Sequence, residues 1–451
     1  MRQDGMRLAA RARDRPGTSL PATAMAQLTF TTLGSAGDLH PLLPVALELS
    51  RRGHRVQFAA NPWFRAAVER EGLAFRPVGV PLGPEEYAAH PEILDPRQGG
   101  LVGVRHLMQR FLLPHLPRVV DDLREACRGT DLLLTHPAQL ASPIAAELLG
   151  LRRATLSVFP GNVPSRHFAP QGAVLPDLAG GIGRFLNGAS WGLARFVMRR
   201  EFDPPLNEVR KSFGLAPARD VFLLGGLGGE RVLLLCPEAY CDAPPDWDPK
   251  ITCAGYTCFD TPAGWTPPRE LEDFLAAGDP PVLLSLGTSV AVDPQAFYEV
   301  AQQALDRVGV RGLFLVGSER NRPARTRPVD AHFEYVPLSA VLPRCALAVH
   351  PGGFGTTAAA VVAGTPQLAV PRAFDQAYHG ARIVRLGVGR AIPWRRFRVA
   401  AVERALRETL ADEVLRENAR RLASRIGPSD GVAVAVAEIE QLLSSPARAG
   451  S

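Results

Sequence analysis

Residues 27–60, QLTFTTLGSAGDLHPLLPVALELSRRGHRVQFAA, decide the architecture. Leu28–Leu33 is a short β-prone run that stops at Gly34-Ser35-Ala36-Gly37-Asp38. Apolar residues then recur at helical spacing, at Leu42, Leu43, Val45, Ala46, Leu47 and Leu49, until Arg51-Arg52 and Gly53 close the helix. Val56–Ala60 begins a second strand. Strand, glycine turn, helix and strand make a βαβ unit, for which a right-handed crossover and parallel strands are expected.

The same rhythm repeats downstream. Asp131–Thr135 reads as a strand ending at His136-Pro137, Ile144–Leu149 as a helix and Ala154–Val158 as a strand. Arg184–Arg200 is helical, and Val232–Cys236 is a further strand. Residues 241–268, rich in Pro, Asp and Gly, read as a linker, after which strand and helix alternate again. Val282–Leu286 ends at Gly287-Thr288-Ser289, helix Phe297–Val308 follows, and Leu313–Val316 and Phe333–Val336 are strands. Leu347–His350 then meets a glycine loop, followed by helix Thr356–Ala363 and strand Gln367–Val370. This gives an amino-terminal domain over 25–240, a carboxyl-terminal domain over 269–430, and a last helix and tail over 431–451. Residues 1–24, with five arginines and no apolar period, are expected to be a disordered extension. Ligands of doubly wound sheets bind at the carboxyl ends of strands, where both glycine loops lie.

Composition narrows the function classes. The 451 residues are 46% hydrophobic and 21% charged, which is ordinary for a globular chain of two domains. The formal charge of +6 rests on arginine, since Lys211 and Lys250 are the only lysines. No basic run carries interleaved aromatics, so a nucleic-acid partner is not expected. Six cysteines and no visible leader pattern fit a reduced, cytoplasmic setting. Cys236-x4-Cys241 and Cys253-x4-Cys258 lack the shorter spacing of zinc knuckles, so they read as buried or linker thiols, with no metal.

The loop Val349-His350-Pro351-Gly352-Gly353-Phe354-Gly355-Thr356-Thr357 joins an apolar strand to a helix. Glycines there let a ligand approach the backbone, and the helix start offers free N–H groups to phosphate. A tight strand–helix turn without a ligand reads the same way. The longer segment His350–Gly389, HPGGFGTTAAAVVAGTPQLAVPRAFDQAYHGARIVRLGVG, resembles the nucleotide-sugar signature of the UDP-glycosyltransferase superfamily. Leu33–Gly53 is similar to the acceptor-domain start of that family, and the likeness runs from about residue 26 to 440. It is nearest to the rhamnosyltransferases of the rhamnolipid group and to bacterial macrolide and sterol glycosyltransferases. The resemblance implies the α/β GT-B fold, two Rossmann-like doubly wound domains facing across a cleft. It also implies a nucleotide diphosphate sugar as co-substrate on the second domain, with neither cofactor nor metal.

Carried over residue by residue, the resemblance puts Tyr335 and Val336 on the nucleobase, and Thr288, His350, Gly352, Gly353, Gly355 and Thr356 around the diphosphate. Asp375 and Gln376 fall on the sugar hydroxyls. Each position has a plainer reading: Tyr335 as a packed strand end, Thr288 as a helix cap, Asp375-Gln376 as a helix start. Two positions depart from the family. Pro351 stands where a diphosphate-binding histidine is usual, leaving His350 one residue early and pointing to the opposite strand face, and Ala359 replaces a ribose-gripping Glu or Gln.

Inverting transfer needs a base at the acceptor hydroxyl. Relatives place a histidine in the first loop and an aspartate at a later strand end. Here the first loop carries Asp38 and the later strand end His136, so the two partners are exchanged. Asp38 and His136 are the expected dyad, with Asp38 nearest the acceptor and His40 the competing base. A carboxylate at a helix start and a satisfied loop histidine are the plainer alternatives. The first domain normally shapes the acceptor pocket, and residues 85–115 and 160–200 read as the variable insertions that would do so. The resemblance favours a small hydrophobic acceptor, a lipid, sterol or polyketide hydroxyl. Aromatic and arginine residues alternating over Arg184–Arg200 suggest an amphipathic helix facing the core, with peripheral contact to an anionic inner membrane face as the second reading. Two further classes stay open: a degenerate relative acting as non-enzymatic partner of another transferase, and a sugar-nucleotide epimerase or phosphorylase on the same architecture.

Overall fold

The computed structural model describes residues 25–34, 36–81, 83, 101–171, 180–261, 264–287, 294–427 and 431–446. The expected extension 1–24 and Thr288 lie outside the described residues. Apolar runs become strands buried on both faces, as parallel sheets require: Leu132–Thr135, Val282–Ser285 and Leu347–His350 are buried at every position.

The first sheet contains β1 (Gln27–Thr31), β2 (Arg55–Ala60), β3 (Ala74–Pro77), β4 (Leu132–Thr135), β5 (Arg153–Ser157), β6 (Arg231–Leu234) and β7 (Ile251–Cys253) in the order 3-2-1-4-5-6-7. The second contains β8 (Val282–Ser285), β9 (Gly312–Leu315), β10 (Ala331–Phe333), β11 (Leu347–His350), β12 (Gln367–Ala369) and β13 (Gly389–Ala391) in the order 10-9-8-11-12-13. All pairings are parallel. In each sheet the strand order reverses once, between β1 and β4 and between β8 and β11. Those two switch points are where a crevice opens outside the strand ends.

Two expectations change, and the place of the last helix is added. β7 pairs with β6, so the start of the expected linker 241–268 belongs to the first sheet. Its three residues are too short an apolar run to be read as a strand. The expected last helix, Gly431–Ser444, packs on the first domain. Ala435, Val436, Ile439 and Leu442 join the apolar cluster of Val45 and Leu49, and Glu440 pairs with Arg52 at 2.9 Å. Finally, helix Gly180–Ser212 buries Trp191, Phe202 and Leu206, but Phe185 and Phe196 are 74% and 61% exposed. Ile182 and Leu193 are exposed with them, so the core-facing reading of this stretch fails for its outer side. Arg199 and Arg195 bind Asp220, whose pKa they hold down at about 2, against the burial that opposes them.

Candidate active site

At the first switch point, Thr31 of β1 pairs in register with Thr135 of β4. The chain leaving β1 turns at Gly34 into a one-turn helix, Ala36–Leu39, that carries Asp38. The chain leaving β4 places His136 directly opposite, its backbone N–H bound to the Thr31 carbonyl at 3.0 Å. His136 Nε2 therefore lies 3.5 Å from Asp38 Oδ1. The Ala138 N–H donates to His136 Nδ1 at 3.3 Å, which puts the hydrogen of the neutral ring on Nε2, where it makes no hydrogen bond. Burial lowers the pKa of His136, while the charges of Asp38 and Asp375 oppose that shift. The structure thus brings the two expected dyad residues, Asp38 and His136, side by side. Gly34 makes the room, since at φ +102° a Cβ there would lie 2.4 Å from Asp38 Oδ2.

His40, the other expected base, follows the same short helix, its N–H bound to the Ala36 carbonyl at 2.9 Å. His40 is partly buried with its ring 6.2 Å from Phe259 of the linker; burial lowers its pKa and the Asp260 charge raises it. At the same end of β1 and β4, a small apolar pocket is lined by Leu33, Val78, Val80, Phe111, Leu112, Leu116 and Leu140, with Gln139 and His115 as polar wall.

The donor loop sits at the second switch point. Gly352 has φ +91°, and a Cβ there would lie 2.9 Å from the Gln376 carbonyl oxygen. Helix Phe354–Ala363 begins at Gly353 with no side-chain cap, and a Cβ at Gly353 or Gly355 would meet nothing within 4 Å. The space beside these two glycines is open at a helix start, where uncapped N–H groups can receive an anion. Thr356 lies at the same end, 3.5 Å from the Cβ position of Gly287, so the β8 and β11 loops converge.

His350 does not join them. Its Nε2 and the Gln367 Oε1 are 3.0 Å apart, and its Nδ1 accepts the Gly352 N–H at 3.0 Å. Both nitrogens are spent inside the sheet, and burial drives the pKa to about 4. The expected diphosphate contact is replaced by a prop beneath the glycine loop, because a strand residue one step early faces inward. Gln376 is buried, and its Oε1 accepts the Arg372 and Ala373 N–H groups at 2.9 and 3.1 Å, so that oxygen shapes the turn. Tyr335 is 57% exposed and its hydroxyl donates to the Asp260 carbonyl. The Val336 side chain is in the core.

Asp375 follows Phe374, a non-glycine residue at φ +56° whose carbonyl accepts Gln171 Nε2 of the first domain at 3.0 Å. Such backbone is sparsely populated and concentrates at functional sites. His379 Nε2 lies 3.2 Å from Asp375 Oδ2, and Tyr240 of the first domain reaches His379 Nδ1 at 2.6 Å. Sequence reasoning alone misses both Tyr240 and His379. The one signal is the four-residue step from Asp375 to His379 on a helix.

Residues 28–121 match the glycosyltransferase family 28 N-terminal domain, and residues 318–438 match the erythromycin biosynthesis protein CIII-like C-terminal domain. The chain is 32% identical over 431 residues to O-mycaminosyltylonolide 6-deoxyallosyltransferase of Streptomyces fradiae, covering 92% of this chain and 97% of that one. A sterol 3-beta-glucosyltransferase of Arabidopsis thaliana is 27% identical, over 93% of this chain and 66% of its own length. Among solved structures, spinosyn forosaminyltransferase SpnP superposes with a TM-score of 0.67 at 19% identity, covering 94% of this chain and 100% of that one. Glycosyltransferase VinC in complex with dTDP gives 0.67 at 21% identity, covering 92% and 99%. With both sheets and both switch points in place, the chain belongs to the UDP-glycosyltransferase superfamily and is a nucleotide-sugar-dependent glycosyltransferase of the GT-B fold.

Proposed function

We propose that the enzyme moves a hexose, glucose or a deoxyhexose such as rhamnose, from a UDP- or dTDP-sugar to a hydroxyl of a small hydrophobic acceptor. Transfer inverts the anomeric centre and, as the family resemblance implies, requires no metal. The supporting observation is convergence: Asp38 and His136 stand at one switch point, and Asp375 stands beside the glycine loop of the other. The Asp375 charge reaches His136 across the cleft.

Each group has a proposed role. The acceptor rests in the apolar cavity beside Leu33, with its hydroxyl at Asp38. Asp38 takes the hydroxyl proton while the oxygen attacks the anomeric carbon from the side opposite the diphosphate. The start of helix Phe354–Ala363 holds the departing negative charge. A non-enzymatic partner would need no such dyad, and the catalytic reading accounts for it directly.

Nucleoside diphosphates should raise the unfolding temperature, since a ligand at about 100 times its Kd adds about 2.7 kcal/mol of stability. A melt with millimolar dTDP, UDP, GDP and ADP checks this. The pyrimidine diphosphates should shift it by several degrees, and no shift with any of the four would count against a donor site at Gly352–Thr356.

A further inference from the structure

Asp375 is held from the other domain. His379 is fully buried, caged by Tyr240, Phe354 and Tyr378 with ring centroids 5.3–5.9 Å away. Its two nitrogens face two different partners, the Tyr240 hydroxyl at Nδ1 (2.6 Å) and Asp375 Oδ2 at Nε2 (3.2 Å). With the tyrosine hydroxyl as donor, Nδ1 accepts and the hydrogen of the neutral ring belongs on Nε2. Burial drives the Tyr240 pKa well above its ordinary value, which keeps that hydroxyl a donor. Tyr240 thus donates to His379, whose Nε2 lies 3.2 Å from Asp375 Oδ2 in a close polar contact without hydrogen-bond geometry. Tyr240 belongs to the first domain, on the short helix Glu238–Cys241. Arg382, one turn beyond His379, donates to the Tyr240 carbonyl and anchors the same seam. Two uncommon backbone residues flank it, Asp242 at φ +57° and Phe374 at φ +56°.

We propose that Tyr240 and His379 are positioning residues that aim Asp375 at the donor sugar only when the two domains are closed on each other. The seam thereby couples domain closure to recognition of the sugar rather than of the nucleotide. When the domains part, His379 loses Tyr240, its ring is no longer fixed in one tautomer, and the carboxylate loses its orientation. This rests on the reading that Asp375 accepts sugar hydroxyls.

Three variants test it on the full chain: Asp375→Asn, Tyr240→Phe and their double mutant, with His379→Gln as a second probe of the relay. Readouts are kcat and KM for the nucleotide sugar, Kd for the sugar-free nucleoside diphosphate, and unfolding temperature. Tyr240→Phe keeps the ring and removes only the hydroxyl. It is expected to lower kcat/KM for the nucleotide sugar about tenfold, the size of one hydrogen bond to a group that orients a charge, while Kd for the diphosphate stays within about twofold. On the Asp375→Asn background the same substitution should cost nothing further, because both act through one carboxylate. His379→Gln should show the same split between sugar and nucleotide. Full activity in Tyr240→Phe, equal losses for nucleotide and nucleotide sugar, or losses that add in the double mutant would overturn the relay. If Asp375→Asn itself transfers sugar at the wild-type rate, the reading of Asp375 fails first and the relay falls with it. A crippled Asp375→Asn beside an unaffected Tyr240→Phe overturns the relay alone.

Discussion

Asp38→Asn is expected to lower turnover by about 100-fold or more, the usual scale for losing a positioned general base, with nucleoside diphosphate binding unchanged. The amide keeps the shape of the side chain and its place opposite His136 Nε2, so the loss isolates proton acceptance from packing. His136→Ala should lose a comparable factor, because Asp38 Oδ1 then loses the ring nitrogen 3.5 Å away. The pH dependence has a definite sign. Burial lowers the pKa of His136 below its ordinary value, so the ring stays neutral through pH 6.5 and protonates only further down. A plot of kcat/KM should be flat across neutrality and fall on the acid side, below pH 6.5. Near-wild-type rates in both variants would remove the dyad from the mechanism.

Gly352→Ala carries the second large effect. The residue sits at φ +91°, where a side chain is strained at a cost of about 1–3 kcal/mol. Its new Cβ would lie 2.9 Å from the Gln376 carbonyl oxygen, which belongs to a helix start and cannot swing aside. The loop must shift, and with it the Gly352 N–H that His350 Nδ1 holds. Each misdirected bond to the diphosphate costs about 1.5–3 kcal/mol, so Kd for dTDP or UDP should rise by roughly ten- to a hundredfold. Titration calorimetry on the folded variant reads this directly. Gly355→Ala is the contrast: its Cβ meets nothing within 4 Å, so its unfolding temperature should match the wild type. Unchanged diphosphate affinity in Gly352→Ala would separate this loop from the donor site.

How much of this is legible from sequence depends on the range of the interaction. β1, β4, β8 and β11 announce themselves as apolar runs ending in glycine or histidine. Because parallel strands share one ligand-binding end, their order along the chain already places Asp38 and His136 together. The exchanged Asp–His pair is therefore visible in sequence, and the structure supplies its distance and tautomer. His350 shows the reverse. Its neighbours suggest a ligand contact, yet strand alternation turns the ring inward, and only Gln367 on the adjacent β12 shows where it goes. Tyr240 and His379 are 139 residues apart in different domains, and no periodicity encodes a seam between two separately folded sheets. The same limit hides the return of Gly431–Ser444 to the first domain, since an apolar helix face does not say which sheet it covers.

Sugar transfer itself is the most direct measurement. The purified protein is incubated with UDP- and dTDP-hexoses and a panel of apolar alcohols, and the product is followed by mass and by the anomeric proton coupling. Inverting transfer with Asp38 as base predicts release of nucleoside diphosphate that depends on the alcohol. The product should gain one hexose with the anomeric configuration opposite to the donor, and Asp38→Asn should abolish it. A product that retains the donor's configuration, or no transfer from any donor that measurably binds, would contradict it.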